Sequence, residues 1–124
     1  IDFCKIEHAT QELARRYDIV LVEGAGGLMV PLTEEYLTID YVAEKNYPLI
    51  FVTSGKLGSI NHTLLSLEAI KHRGIILDTV LYNLYPTVED KTIQNDTMQY
   101  IRDYLSKHFP GTNFEVVPEI NNQP

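Results

Sequence analysis

The sequence lacks several features that mark large classes of protein. Cys4 is its single cysteine, so the chain can form no internal disulfide and has no cysteine cluster with metal-ligand spacing. Its apolar runs are far shorter than the roughly 20 residues that cross a bilayer, and no signal peptide opens the chain. These absences predict a cytoplasmic protein with no membrane contact.

Basic clusters are also absent, because Arg15-Arg16 is the longest run of lysine or arginine. The 124 residues carry a formal net charge of −7, whereas a nucleic-acid interface requires a basic patch. We therefore expect no nucleic-acid partner and favour an acidic enzyme or an oligomer subunit. The length allows at most one domain, and the hydrophobic content of 44% is enough for a core.

The most informative stretch begins with four apolar residues, 19–22, which lead into Glu23 and a glycine-rich turn. The run predicts a strand over residues 18–23 that is covered on both faces and ends at the ligand edge of a parallel sheet. Glycines at such an edge let the backbone approach a phosphate and donate N–H groups to it, and a carboxylate there can hold Mg²⁺. A plain turn with a solvated glutamate is the alternative, because short glycine motifs recur by chance.

Helical and strand-like patterns alternate along the rest of the chain, without a linker or a repeat. This alternation predicts an α/β fold with a parallel sheet and right-handed crossovers. A second apolar run, residues 49–52, also predicts a strand covered on both faces, and Gly74 is expected to end a helix. The other predicted elements are strands over residues 78–83 and 114–118, and helices over residues 5–17, from Thr38 or Asp40 to about Lys45, over 60–73 and over 89–108.

Polar residues or glycines follow every predicted strand at its carboxyl end. They are Glu23 with Gly24, Ser54 with Gly55, Asn83, and Pro118 with Glu119. The carboxyl ends of parallel strands meet at one edge of a sheet, where such sheets bind ligands, and loops there carry function on a rigid scaffold. The coincidence of four signals predicts a nucleotide or phosphate site at this edge.

Three segments together carry a resemblance to a known family. They are residues 22–32, residues 57–69, and Arg73-Gly74 with the strand-end Asn83. In this order they resemble dethiobiotin synthetase, the ATP-dependent ligase of biotin synthesis, from about Tyr17 to Pro118. The resemblance implies a P-loop NTPase-like, Rossmann-like three-layer fold, a homodimer, and ATP and Mg²⁺ as cofactors. It also implies that 7,8-diaminononanoate and CO₂ are the small-molecule substrates, which are closed to a cyclic urea.

The resemblance assigns the glycine-rich turn to the phosphates of ATP. Glu23 matches the carboxylate that binds Mg²⁺ in the family. Gly24, Ala25 and Gly26 match the turn that lies against the nucleotide phosphates. These four residues therefore form the expected phosphate and metal side of the site.

A second group of residues is assigned to the base of ATP. Asn83, which Leu84 follows, matches the asparagine that reads the adenine edge, and its amide can both donate and accept as a purine requires. A turn residue is the alternative for Asn83. The segment that packs beside the base in the family matches Pro118, Glu119 and Ile120.

The start of the helix after the second apolar run is assigned to the substrate. In the family this helix start contacts the substrate carboxylate of the opposite subunit, and free N–H groups at a helix N-terminus attract an anion. An ordinary serine or asparagine helix cap is the alternative. His62 is expected to be a surface or core histidine, and Lys56 a solvated charge. The expected substrate residues are Gly58, Ser59, Ile60 and Asn61.

One motif of ATP-binding proteins is missing, since no G-x-x-x-x-G-K-[ST] occurs in the sequence. We therefore expect residues 1–124 to be the C-terminal half of the enzyme, a single partial domain without the family's catalytic lysine and second Mg²⁺-binding aspartate, and inactive by itself. Another P-loop relative, such as a cobyrinate diamide synthase or a partition-type ATPase, is an alternative that the match over residues 57–69 disfavours. A non-catalytic interaction domain that retains the sheet is the third interpretation.

Overall fold

A computed structural model describes residues 1–85 and 90–119. The chain divides into two compact units, Ile1–Tyr41 and Val42–Pro124. No helix in the described ranges is both long and apolar enough to span a membrane. The elements in chain order are α1 (Phe3–Ala14), α2 (Thr38–Lys45), β1 (Leu49–Ser54), α3 (Ser59–His72), β2 (Leu77–Asn83), α4 (Lys91–His108) and β3 (Asn113–Val117).

The second unit contains a parallel sheet of three strands in the order β1-β2-β3. The register pairs Thr53 of β1 with Tyr82 of β2, so their side chains share one face. On that face Thr53 bonds to Thr63 of α3 and Tyr82 bonds to α4, which places both helices on the same side of the sheet. Consecutive right-handed crossovers require this arrangement. The structure thus confirms the predicted parallel α/β fold.

The core of the second unit forms between the middle strand and the two helices. Val80 and Tyr82 of β2 are fully buried, as are Ile70 of α3 and Ile101 of α4. Burying an aliphatic or aromatic side chain of this size stabilises a fold by about 1.5–3 kcal/mol. The Tyr82 hydroxyl donates to the Gln94 carbonyl at 3.4 Å, and burial raises the pKa of Tyr82.

Local signals set the ends of the helices in this unit. The Asp90 carboxylate accepts hydrogen bonds from the N–H groups of Thr92 and Ile93 at the start of α4, at 2.9 and 3.2 Å. Gly74 has a φ of +63° just after α3. The N–H groups of Gly74 and Ile75 donate to carbonyls of the last turn, which is the Schellman arrangement. The predicted helix end at Gly74 is therefore confirmed.

The first unit has less regular structure. Asp2 caps α1 by accepting from the Lys5 N–H at 3.1 Å, yet α1, which is described in full, contains no buried residue. The ring of Phe3 contacts the rings of Tyr36 and Tyr41, at centroid distances of 5.4 and 6.2 Å. Fully buried Ile39 donates its N–H to the Leu28 carbonyl at 2.8 Å. These contacts hold the long connection between the two helices.

The predicted strand over residues 18–23 is wrong. These residues form no strand, and Ile19 and Leu21 are about four-fifths exposed, at 80% and 77%. A strand needs a hydrogen-bonded neighbour and covered faces, and within the described residues nothing pairs with this segment. The preceding helix α1 also ends at Ala14 rather than Tyr17.

The prediction that β1 is covered on both faces is also wrong. Ile50 and Val52 are exposed, whereas Phe51 and Thr53 face the helices. In the described part of the chain β1 is an edge strand whose only partner is β2. Only one of its two faces is covered. The remaining elements lie within two residues of their predicted bounds, because their periodicity and caps agree with the pairing that formed.

Candidate functional site

The carboxyl ends of the three strands lie side by side, as predicted. Asn83 at the end of β2 pairs with Ser54 of β1 and with Val117 of β3. Leu84 extends this ladder, because its N–H donates to the Val117 carbonyl at 3.0 Å. This edge is the position where parallel sheets bind ligands.

Two of the three residues predicted to lie beside the base follow β3 at this edge. Pro118 and Glu119 come directly after Val117 and are exposed. Ile120, the third, lies outside the described residues. Because Asn83 lies beside the end of β3, the two segments that were predicted to contact the base, residues 83–84 and 118–119, are adjacent.

Asn83 has a turn role that sequence analysis left open. Its side chain is half-buried, and Oδ1 accepts a hydrogen bond from the Tyr85 N–H at 2.9 Å. An asparagine that bonds the backbone two residues further on stabilises a turn. An amide oxygen has two lone pairs and the amide nitrogen two N–H groups. The turn role therefore leaves Asn83 chemically able to contact a base.

The loop between β1 and α3 ends in an uncapped helix N-terminus. Gly58 occupies the N-cap position with a φ of +85°, and no side chain caps the helix. Only glycine adopts this backbone conformation without strain. The first turn of α3 also contains no acidic residue. The Ser59 N–H donates to the Lys56 carbonyl at 2.9 Å, so the N–H groups of Ile60 and Asn61, which no side chain caps, and the positive end of the helix dipole are available to an anion.

The side chains of this helix start differ in exposure. Ser59 is 9% exposed, and its Oγ has no hydrogen-bond partner among the described residues. Ile60 and Asn61 are exposed. The alternative that serine or asparagine caps α3 is wrong, because Gly58 holds that position. A buried hydroxyl without a partner is costly, so Ser59 has a free donor that a ligand oxygen could satisfy.

Three neighbours of the helix start are exposed. His62 and Lys56 lie at the surface, which confirms the surface placement of this histidine and the predicted solvated lysine. Leu57 is fully exposed.

Sequence analysis missed the pair of threonines that supports this loop. The hydroxyl groups of Thr53 and Thr63 lie 2.6 Å apart and are buried. They join the end of β1 to the first turns of α3, on either side of the loop that carries Gly58. The signal available in the sequence was Thr63 at the position four residues after Ser59, on the buried stripe of α3.

The glycine-rich turn of the first unit has a local packing reason for its glycines. Gly26 has a φ of +89°, and a Cβ there would lie 2.8 Å from Cγ2 of Val30. A Cβ on Gly24 would lie 3.2 Å from Cγ2 of Thr38. The turn packs against Val30 and against Thr38, the first residue of α2, and the Val30 carbonyl accepts from the Thr38 N–H at 2.9 Å. Glu23 precedes this turn with an exposed side chain.

The residues present fit one part of a magnesium site. Within the described ranges no group of three or more histidine, cysteine, aspartate or glutamate side chains could hold a metal ion. Mg²⁺ usually takes one or two protein carboxylates and completes its coordination with phosphates and water. Exposed Glu23 fits such a single carboxylate ligand, provided that phosphates supply the rest.

The predicted site residues are distributed over both units. Glu23, Gly24, Ala25 and Gly26 belong to the first unit. Asn83 and Leu84 belong to the second, with Pro118, Glu119 and the helix start that begins at Gly58. In the second unit the sheet register places Asn83 next to Ser54, the last residue of β1, and the loop to α3 begins after Ser54.

Comparison with known proteins identifies the family. The family model of the AAA domain matches residues 1–123. The chain belongs to this family. A parallel sheet with connecting helices is the P-loop NTPase-like α/β arrangement that the resemblance implied.

The chain is also similar to curated dethiobiotin synthetases, which confirms the resemblance found in the sequence. It is 51% identical over 117 residues to the ATP-dependent dethiobiotin synthetase BioD 2 of Pasteurella multocida, covering 94% of this chain and 54% of that protein. The BioD 2 protein of Haemophilus ducreyi is 50% identical over 91% of the chain and 53% of its own length. The BioD protein of Chlorobaculum tepidum is 50% identical over 87% and 45%. The chain spans about half the length of these relatives.

Proposed function

We propose that this chain forms the base-binding and substrate-binding part of an ATP- and Mg²⁺-dependent dethiobiotin synthetase. The enzyme would close 7,8-diaminononanoate and CO₂ to dethiobiotin in biotin biosynthesis, in the cytoplasm. The observation that carries the proposal is the 51% identity to the Pasteurella multocida enzyme over 94% of this chain. The parallel sheet supports it, because Asn83 lies at the ligand edge.

In this proposal each residue assigned to ATP has a role of its own. Asn83 donates to the base, with Leu84, Pro118, Glu119 and Ile120 beside it. Gly24, Ala25 and Gly26 present backbone N–H groups to the phosphates. Glu23 provides one oxygen ligand to Mg²⁺, which when bound neutralises charge on the transferred phosphoryl group.

The start of α3 binds the carboxylate of 7,8-diaminononanoate, held by the other subunit of a homodimer. The uncapped N–H groups of Ile60 and Asn61 and the unpartnered hydroxyl of Ser59 support this assignment. Both are donors, and a carboxylate is an acceptor only. Ile60 and Asn61 would line the approach to this site.

A dimer interface beside the start of α3 is supported by exposed apolar side chains. Leu57 is fully exposed and Ile60 is 37% exposed, and removing apolar side chains from water in an interface is favourable. We expect dimers or larger species of the 124-residue chain by light scattering at micromolar concentration. A clean monomer would contradict this part of the proposal.

A chimeric enzyme tests the function directly. This chain replaces the matching half of the Pasteurella multocida enzyme, and the purified chimera is incubated with 7,8-diaminononanoate, bicarbonate, ATP and Mg²⁺. Dethiobiotin detected by mass spectrometry, and absent when ATP is omitted, would support the proposal. A chimera that folds cooperatively and makes no dethiobiotin would overturn it.

The 124-residue chain by itself is expected to be inactive. Phosphoryl transfer depends almost entirely on positioned groups around the phosphates, and the sequence contains no G-x-x-x-x-G-K-[ST] loop. The same assay with the purified chain should give no more product than a protein-free blank. Product above that blank would refute the expectation.

A further inference from the structure

We infer that the backbone N–H of Tyr85 fixes the orientation of the Asn83 side-chain amide, and thereby makes Asn83 a hydrogen-bond donor of set direction toward a purine base. The inference rests on the proposed function, because it takes the base-binding role of Asn83 as given. What it adds is a positioning group that lies two residues beyond the strand.

The bond between these residues admits one orientation of the amide. An asparagine amide can rotate by 180° about its last side-chain bond, which exchanges Oδ1 and Nδ2. A backbone N–H can only donate, so its partner must be the oxygen. Oδ1 of Asn83 lies 2.9 Å from the Tyr85 nitrogen. When Oδ1 faces the Tyr85 N–H, Nδ2 lies on the opposite side of the amide group.

The backbone on both sides of this bond is also held. Asn83 ends the middle strand and is paired on its two sides, with Ser54 and with Val117. The next residue, Leu84, donates its N–H to the Val117 carbonyl at 3.0 Å. The sheet therefore fixes the Cα of Asn83, and Tyr85 fixes the far end of its side chain. The Asn83 side chain therefore has few alternative rotamers, and it loses little conformational entropy when a ligand binds.

A fixed donor direction has a consequence for binding. Immobilising a polar side chain on association costs about 0.5–1.5 kcal/mol, which a preorganised group avoids. If the Tyr85 N–H is removed, the amide must be ordered by the ligand itself. Adenosine should then bind about twofold to tenfold more weakly, by conversion of that cost.

A pair of variants at one position isolates the N–H. Tyr85→Pro removes the donor and Tyr85→Ala retains it, while both remove the phenol ring. Adenosine is titrated into each 124-residue variant by ¹⁵N-resolved NMR, and the side-chain amide signals of Asn83 are followed. We expect Tyr85→Pro to bind about twofold to tenfold more weakly than Tyr85→Ala, with a smaller shift of the Asn83 amide signals. Equal affinities of the two variants would overturn the inference.

The outcomes separate this inference from the proposed function. If the unaltered chain binds no adenosine, the base-binding role itself fails and the inference fails with it. If the unaltered chain binds adenosine and the two Tyr85 variants bind it equally, only the positioning role fails.

A second variant covers the case in which Tyr85→Pro does not fold. Asn83→Asp keeps an oxygen for the Tyr85 N–H, since aspartate forms the same turn, but it replaces the donor by an acceptor. The Tyr85 amide should remain protected from hydrogen exchange while adenosine binding falls at least tenfold. Binding equal to that of the unaltered chain would overturn the donor role of Asn83.

Discussion

Two apolar runs of the same length end in different structures. Residues 49–52 form the first part of β1 and pair with β2, whereas residues 19–22 form no strand and stay largely exposed. Their composition does not separate them, since both consist of aliphatic residues with at most one aromatic. The difference is a hydrogen-bonded neighbour. Strand formation in this chain therefore depends on which segments can pair, more than on local preference.

The two units differ in the same way. In the second unit the helices cover one face of a paired sheet, and a continuous core results. In the first unit α1 has no buried residue, and its contacts are the rings around Phe3 and the connection that precedes α2. Mutations should therefore have much larger effects on stability in the second unit than in the first.

The largest expected contrast is between a core residue and an exposed one. Ile70→Ala removes a fully buried side chain of α3 and should lower the free energy of unfolding by about 2–5 kcal/mol. Ile19→Ala, at a position that is 80% exposed, should change it by less than about 0.5 kcal/mol. Urea denaturation followed by circular dichroism measures both. Comparable losses would mean that residues 18–23 are buried in solution.

Glu23 tests whether the glycine-rich turn of the first unit works in catalysis. In an active chimera, Glu23→Gln keeps the shape of the side chain and removes the charge that Mg²⁺ prefers. Turnover should fall by the equivalent of about 2–4 kcal/mol, with partial recovery at higher Mg²⁺. Glu35→Gln alters another exposed carboxylate of this unit and is the control. Unchanged turnover and Mg²⁺ dependence in folded Glu23→Gln would leave Glu23 as a turn residue.

Each unit has a helix that an aspartate caps, so the same substitution can be compared in both. Asp90 accepts two N–H bonds at the start of α4, and Asp90→Ala should destabilise the chain by about 0.5–2 kcal/mol. Asp2 makes a similar cap on α1, but α1 carries no buried residue, so Asp2→Ala should cost less than about 0.5 kcal/mol. Chemical denaturation gives both values. An equal loss at Asp2 would show that α1 unfolds together with the core.

The smallest effect is expected at the contact between α3 and α4. The Tyr104 hydroxyl donates to Glu68, and this bond, with burial and the nearby charge, raises the pKa of Tyr104 to about 12. The pKa of Tyr104 is higher in the folded state than the ordinary value of 10.0. The stabilisation of the fold by the hydrogen bond from Tyr104 to Glu68 is therefore complete below pH 10. It is lost as the pH rises through about 12.

Tyr104→Phe tests that assignment. At neutral pH the substitution should change the free energy of unfolding by less than about 0.5 kcal/mol, as at most surface positions. Between pH 10 and 12 the variant should lose less stability than the unaltered chain, because it has no phenol to ionise. Tyr82, whose pKa burial also raises, titrates in both proteins and cancels in the comparison. Parallel pH profiles would contradict the prediction.

Much of the second unit could be predicted from sequence because its determinants are local. Helical periodicity predicted α3 and α4, Gly74 predicted the end of α3, and the residues after each strand predicted the ligand edge that contains Asn83. The family, too, was recognisable, because the order of short motifs is carried by the sequence itself.

Tertiary structure decided what depends on distant residues. The failure of residues 18–23 to form a strand and the one-sided burial of β1 follow from which strands pair, and pairing is a non-local interaction. The buried contact of Thr53 with Thr63 likewise requires the geometry of the folded chain. Sequence determined which residues could form the site, whereas strand pairing determined which of them the sheet holds side by side.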